Sequence, residues 1–208
     1  MTDGVVVSEN PAPAEPTRRR VGPVPLVNPA NALTALRLVL VPVFVALVIA
    51  SDMTDTGLRV AAGIAFFVAA LTDLLDGWIA RTWDMITAFG KIADPIADKA
   101  LTGSAFVLLS AYGLLPWWVT AVILGREVGV TLLRFWVIRQ GVIAASRGGK
   151  AKTALQSGAI LWLLLPFPDS VHWVGSCLVA AALIVTLITG VDYVARALRL
   201  RRAGVATP

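Results

Sequence analysis

Four aspartates interrupt a chain that is otherwise strongly apolar: Asp73, Asp76, Asp94 and Asp98. The first pair is three residues apart and the second four apart, so on helices each pair occupies one face. Two antiparallel neighbouring helices can then aim all four carboxylates at one point. Ionised carboxylates so crowded repel one another strongly, and the arrangement calls for protonation, basic partners or a bound cation. A divalent metal is the simplest solution. Oxygen-only ligation selects Mg²⁺ or Mn²⁺ over zinc, and one or two such ions suit displacement at phosphorus. The alternative, in which the aspartates only cap helix ends and pair with Arg81 and Lys99, leaves charges inside apolar segments without a task.

The residues around the first pair suit a phosphate ligand. Gly77 lies one turn from Asp73 and permits close backbone approach, Ala80 is small, and the Arg81 guanidinium can make forked contacts with phosphate oxygens. Gly90 is expected to open the connection before the second acidic pair. A further set of charges follows at Arg126, Glu127 and Arg134, then at Lys150 and Lys152. Arginines inside a membrane span are costly unless they face a polar cavity. Arg126, Arg134, Lys150 and Lys152 could together hold a phosphate monoester beside the acidic site, which makes the acceptor a phosphorylated alcohol. One cysteine, Cys177, and one histidine, His172, are too few for a disulfide or a zinc site of the usual kind.

These residues need elements to position them. Of 208 residues, 57% are hydrophobic and only 15% charged, and the mean hydropathy is +0.78. A soluble domain carries about 25% charge, whereas six spans of about 20 apolar residues would use a little over half of this chain. The expected fold is therefore all-α, a polytopic membrane protein with six transmembrane helices at about 33–50, 58–79, 95–112, 116–138, 153–169 and 171–192. Tyr112-Gly113 and Pro116 predict a tight turn between the third and fourth spans, and Pro166 and Pro168 another between the fifth and sixth. Residues 1–27, rich in proline, read as a disordered tail rather than a secretory signal, 28–195 as the membrane domain, and 196–208 as a basic tail.

Orientation follows from the basic residues. The N-terminal tail, the 81–91 and 139–152 connections and Arg196, Arg199, Arg201 and Arg202 fall on one side of the six-span arrangement, where the positive-inside rule puts the cytoplasm. Both termini and the acidic site would face that side. The same rule accounts for a net charge of +5 and a pI near 10.0 without invoking nucleic acid. Trp117, Trp118 and Trp173 would form an aromatic belt at the outer interface.

The pattern Asp73-x2-Asp76-Gly77-x2-Ala80-Arg81-x8-Gly90-x3-Asp94-x3-Asp98 resembles the signature of the CDP-alcohol phosphatidyltransferases at every fixed position. The resemblance implies a six-helix membrane enzyme, a homodimer, that displaces CMP from a CDP-linked lipid by the hydroxyl of an acceptor. It implies that Asp73, Asp76, Asp94 and Asp98 hold the metal and that Asp98 takes the proton of the acceptor hydroxyl. It also carries CDP-lipid contacts onto Asp73, Gly77, Ala80 and Arg81, onto Asn31 and Thr34 of the stretch that ends at Arg37, and more loosely onto Thr87.

Arg126-Glu127 with Arg134, followed by Gly149-Lys150-x-Lys152-Thr153-x2-Gln156, resembles the bacterial branch that uses glycerol 3-phosphate as acceptor. CDP-diacylglycerol would then be the donor, within the bacterial plasma membrane. Inositol phosphate and phosphatidylglycerol are alternative acceptors for the same chemistry. A cation transporter built on the acidic cluster is a more distant reading, because transport does not require the Gly77, Ala80 and Arg81 spacing and no half-repeat is evident.

Overall fold

A computed structural model describes residues 29–82, 87–137 and 147–205. The N-terminal tail and the final three residues lie outside these, as do 83–86 and 138–146 within the second and fourth connections. Six long helices follow one another: α1 (Pro29–Ser51), α2 (Thr56–Thr82), α3 (Ala88–Ala111), α4 (Trp117–Val137), α5 (Arg147–Leu164) and α6 (His172–Val205). A short 3₁₀ turn, Asp169–Val171, leads into α6, and no strand occurs among the described residues.

Each predicted span has its helix, with boundaries displaced for local reasons. Thr87 caps α3 by accepting a hydrogen bond from the Gly90 amide at 3.0 Å, so the helix starts seven residues before the expected 95. Gly90 therefore sits in the first turn of α3 and does not open the connection. A Cβ there would stand 3.3 to 3.5 Å from Thr87 Oγ1, Asn31 Oδ1 and Asp94 Oδ2, so the glycine leaves room for three converging side chains. Helix α5 stops before Pro166, ahead of the expected 169, since proline supplies no amide to continue it. Helix α6 runs on to Val205, so the segment set apart from residue 196 is helical for most of its length, with Arg196 paired to Asp192 one turn earlier.

The turns confirm the expected punctuation. Gly113 has φ of +74°, its amide bonds to the Ser110 carbonyl, and the Leu114 amide reaches the Leu109 carbonyl at 2.9 Å. That double closure ends α3 and reverses the chain into α4. Asp55 caps α2 by accepting from the Leu58 amide at 2.8 Å.

Consecutive helices alternate in direction. The contacts of Arg37 on early α1 with Asp73 and Asp76 on late α2 define one polar end of the bundle. At the other end Arg59 of α2 donates to the carbonyls of Leu163, Leu164 and Leu165, where α5 finishes. Between the ends lies an apolar core shared by α1 to α5, including Phe44, Phe66, Leu101, Phe106, Ile123 and Ile160. Ala62, Ala65 and Ala69 give α2 a face of small residues that lets α1 and its other neighbours approach closely.

Large apolar side chains point outward in quantity, among them Val39, Ile64, Leu132, Ile188 and Val191. This distribution belongs to a protein whose surroundings are lipid. Stretches long and apolar enough to cross a membrane occur at Asn31–Ser51, Thr56–Asp76 and Asp169–Arg199. The other three helices carry charges of their own: Lys91, Asp94, Asp98 and Lys99 on α3, Arg126, Glu127 and Arg134 on α4, and Arg147, Lys150 and Lys152 on α5. The chain is thus an all-α membrane protein. Trp117, Trp118 and Trp173 are exposed at the starts of α4 and α6, the end away from those pairs.

Helices α5 and α6 meet closely at Gly175. A Cβ there would lie 2.9 Å from Trp162 Cδ1 and 3.1 Å from Leu163 Cδ2, and the Trp162 ring is held by stacking on Phe167 at 4.3 Å. Gly175→Val is expected to destabilise the protein by about 1–3 kcal/mol. A thermal unfolding curve in detergent checks this, and an unchanged midpoint would mean that the ring yields without cost.

Candidate active site

One face of α1 organises the polar end. Asn31, Thr34 and Arg37 recur every three residues, all three are buried, and each reaches a different part of α2 or α3. Asn31 Oδ1 accepts a 2.7 Å hydrogen bond from the Thr87 hydroxyl, which is also the cap of α3. Thr34 Oγ1 donates to Asp94 Oδ1 at 2.6 Å. Arg37, with no exposed side-chain surface, donates through Nη1 to Asp73 at 2.6 Å and through Nη2 to Asp76.

Arg37 is the residue that spacing alone did not single out for a role. Its signal was a charge inside the first apolar span, three residues after Thr34, where only a buried counter-charge could make it tolerable.

Both acidic pairs lie at this end of the bundle, and the first pair has a partner of its own. Asp73 is partly exposed, Asp76 is buried, and both are engaged by one guanidinium. Asp73 and Asp94 lie within electrostatic range of Asp76, and Asp73 of Asp98. As the side chains lie, no three of the described carboxylate, histidine or cysteine groups surround one point. The donor set is nonetheless oxygen throughout, with the Thr34 hydroxyl beside it, and its chemistry fits a hard divalent cation. Gly77, Ala80 and Arg81 continue α2 by one turn beyond Asp76, and their side chains are outside the described set.

Asp98 faces a different neighbourhood. It lines a cavity of about 220 Å³ with Lys99 of α3, Glu127 of α4, and Lys152, Thr153 and Gln156 of α5. Lys152 is buried and donates to Glu127 Oε1, and Arg126 Nη1 approaches the same oxygen at 3.2 Å. Lys99 Nζ stands 3.9 Å from Glu127 Oε2. Gln156 is buried and donates to Thr186 of α6 at 3.1 Å.

The expected acceptor contacts are thus sorted. Lys152 is in the cavity, while Lys150, two residues earlier, is exposed and does not line it. Arg126 does not line the cavity; it lies behind Glu127 with Nη2 on Thr189 of α6 at 3.0 Å, in space left by Gly190. Arg134 falls on α4 beyond these residues, with its side chain outside the described set.

A family model described as CDP-alcohol phosphatidyltransferase matches residues 27–189, the whole of this arrangement. The chain belongs to the CDP-alcohol phosphatidyltransferase family. It is accordingly an enzyme that transfers a substituted phosphate group. A Mycobacterium tuberculosis protein (strain H37Rv) named probable phosphatidylglycerophosphate synthase is 50% identical over 195 residues, which cover 94% of this chain and 91% of the relative. Two proteins named CDP-diacylglycerol–glycerol-3-phosphate 3-phosphatidyltransferase are also similar. That of Escherichia coli (strain K12) is 36% identical over 82% of this chain and 94% of its own length. That of Bacillus subtilis (strain 168) is 35% identical over 81% of this chain and 94% of its own length.

Within this family member, removing Arg37 would leave the buried Asp76 carboxylate without a counter-charge. Arg37→Met is expected to cost about 3–5 kcal/mol of stability, and Arg37→Lys, which keeps the charge but not the fork, to recover only part of it. Thermal unfolding of the three proteins in detergent checks this; equal midpoints would show that the guanidinium does not hold α1 to α2.

Proposed function

We propose that the protein transfers the phosphatidyl group of CDP-diacylglycerol to the 1-hydroxyl of sn-glycerol 3-phosphate, giving phosphatidylglycerol phosphate and CMP. The carrying observation is the cavity in which Asp98 shares a wall with Lys99, Lys152 and Gln156. A carboxylate that can accept a proton stands there beside cations that can hold a phosphate, which is the pairing a phosphorylated alcohol requires. The names of the M. tuberculosis, E. coli and B. subtilis relatives support the same donor and acceptor.

In this reading the acceptor phosphate rests on Lys152, with Arg126, Arg134 and Lys150 shaping the field around it. Its hydroxyl lies at Asp98, which removes the proton as the oxygen attacks the phosphorus of the phosphatidyl group. The bond to the CMP phosphate breaks as the new ester forms. Asn31, Thr34, Asp73, Gly77, Ala80, Arg81 and Thr87 form the side that receives the CDP group. Asp73, Asp76, Asp94 and Asp98 would hold one or two Mg²⁺ or Mn²⁺ ions, which supply neutralisation of the pyrophosphate and the departing CMP. Arg37 and Thr34 keep three of those carboxylates oriented toward α1.

The six helices then all cross the bacterial plasma membrane, with both termini and the acidic end at the cytoplasmic face, and the protein works as a homodimer. The basic connections between spans support that orientation, and the pairing of Lys99, Arg126 and Lys152 with Glu127 lowers the cost of charge on α3, α4 and α5.

CMP release by detergent-solubilised protein tests the assignment, with CDP-diacylglycerol, Mg²⁺ or Mn²⁺, and in turn glycerol 3-phosphate, inositol 1-phosphate or phosphatidylglycerol. Release with glycerol 3-phosphate alone is expected, and release only with another acceptor would replace the acceptor named here. Asp98→Asn keeps the shape of the side chain but not its basicity, and should lower kcat by about 10²–10⁴-fold while CDP-diacylglycerol still binds. Near-normal turnover would remove Asp98 from its role. Lys152→Met should raise the KM for glycerol 3-phosphate by about tenfold or more, as expected for the loss of one charged contact.

A further inference from the structure

Glu127 is the only acid on α4, and it faces the very cavity that is to hold an anion. A carboxylate in that place repels a phosphate, so its presence asks for a compensating task. Its surroundings supply one. Oε1 accepts from both Lys152 Nζ and Arg126 Nη1, and Oε2 lies 3.9 Å from Lys99 Nζ. Three cations from α3, α4 and α5 converge on two oxygens.

We propose that Glu127 is a positioning residue for the acceptor phosphate, holding the Lys152 ammonium at the cavity wall that Asp98 shares. The inference rests on the reading of this cavity as the acceptor site. Lysine carries its charge on a flexible four-carbon stem and is strongly hydrated, so a buried lysine left beside an arginine would turn away toward water. Glu127 prevents that by offsetting the repulsion between Arg126 and Lys152.

The carboxylate is itself anchored from behind. Arg126 is fixed on α6 by the Thr189 hydroxyl, which in turn donates to the Val185 carbonyl at 2.7 Å. Gly190 provides the space: a Cβ there would come within 3.2 Å of Arg126 Cγ and 3.3 Å of its Nε. The line of support thus runs from α6 through Arg126 to Glu127 and ends on Lys152. Arg126 acts through this line and not by lining the cavity.

Kinetics of Glu127→Gln against the parent protein test the proposal, with CDP-diacylglycerol and glycerol 3-phosphate varied separately. The neutral amide should raise the KM for glycerol 3-phosphate by about tenfold, with kcat and the KM for CDP-diacylglycerol changed by less than about threefold. In a Lys152→Met background the same substitution should add less than about twofold, because the two residues act as one unit. A KM that falls would show that Glu127 merely repels the acceptor, and a loss confined to kcat would show a general structural role. Either overturns the proposal, as does full additivity with Lys152→Met. If Glu127→Gln is not recovered as a monodisperse protein, Glu127→Asp is measured instead and should raise the same KM by about threefold.

Calorimetric titration with inorganic phosphate separates this proposal from the acceptor assignment. Failure of the parent protein to use glycerol 3-phosphate would remove that acceptor alone, while weaker phosphate binding by Glu127→Gln would still support the positioning role. Equal phosphate affinities in the two proteins, or no phosphate binding by the parent, would overturn it.

Discussion

The Arg37 guanidinium has no contact with solvent, so its charge is tolerable only where Asp73 and Asp76 surround it. That requirement fixes the start of α1 against the end of α2. Because Thr34 and Asn31 precede Arg37 by one and two helical steps on the same face, α1 must then also meet Asp94 and the Thr87 cap of α3. The stripe continues into the core as Phe44 and Val48, both buried against the bundle. A single helix face is therefore polar where it orders the acids and apolar where it joins the core. The Phe44 ring lies 5.6 Å from that of Phe66, so the same face that carries the ion pairs also sets the spacing of α1 and α2 deeper in the bundle.

The two ends of the bundle solve the problem of polar groups in an apolar setting differently. At the end away from the acids, backbone and side chain satisfy one another locally: Arg59 takes the last carbonyls of α5, and the Ser110 and Thr120 hydroxyls meet at 2.7 Å between α3 and α4. At the acidic end, charges from five helices satisfy one another, with Glu127 serving cations of three helices. Fixed, buried charge of this kind is costly to assemble and is retained where it does chemistry.

The sequence carried the parts of this arrangement that depend on local physics. Helix periodicity and turn residues identified all six helices, and the Gly113 turn formed where a positive φ was needed. The spacing of Asp73 with Asp76 and of Asp94 with Asp98 placed each pair on a face. What spacing could not reveal was partnership across helices. Arg126 and Lys152 read alike as basic residues near the acceptor, yet Gly190 and Thr189, 63 or more residues away from Arg126, draw its side chain behind the cavity wall. Gly90 read as an opener of the connection, yet a threonine cap three residues earlier started the helix around it. In both cases the deciding atom belongs to a side chain whose position only the folded chain supplies.

Helix α3 is where the two ion networks meet. Asp94 is bound from the α1 side by Thr34, while Asp98, one turn later, opens onto the cavity of α4 and α5. One turn of helix separates the two backbones by about 6 Å along the axis. Any ligand held by the first network and any held by the second are thus brought close together without a moving domain. For a transfer between two bound substrates, that proximity replaces a chance encounter with a fixed approach. The rigid element that measures the separation is the helix itself, and the Thr87 cap and the Gly113 closure at its two ends hold it in register. The distance between donor and acceptor sides in the proposed reaction is consequently a property of helical geometry, while the identity of each substrate is left to the side chains that face α3 from α1, α4 and α5.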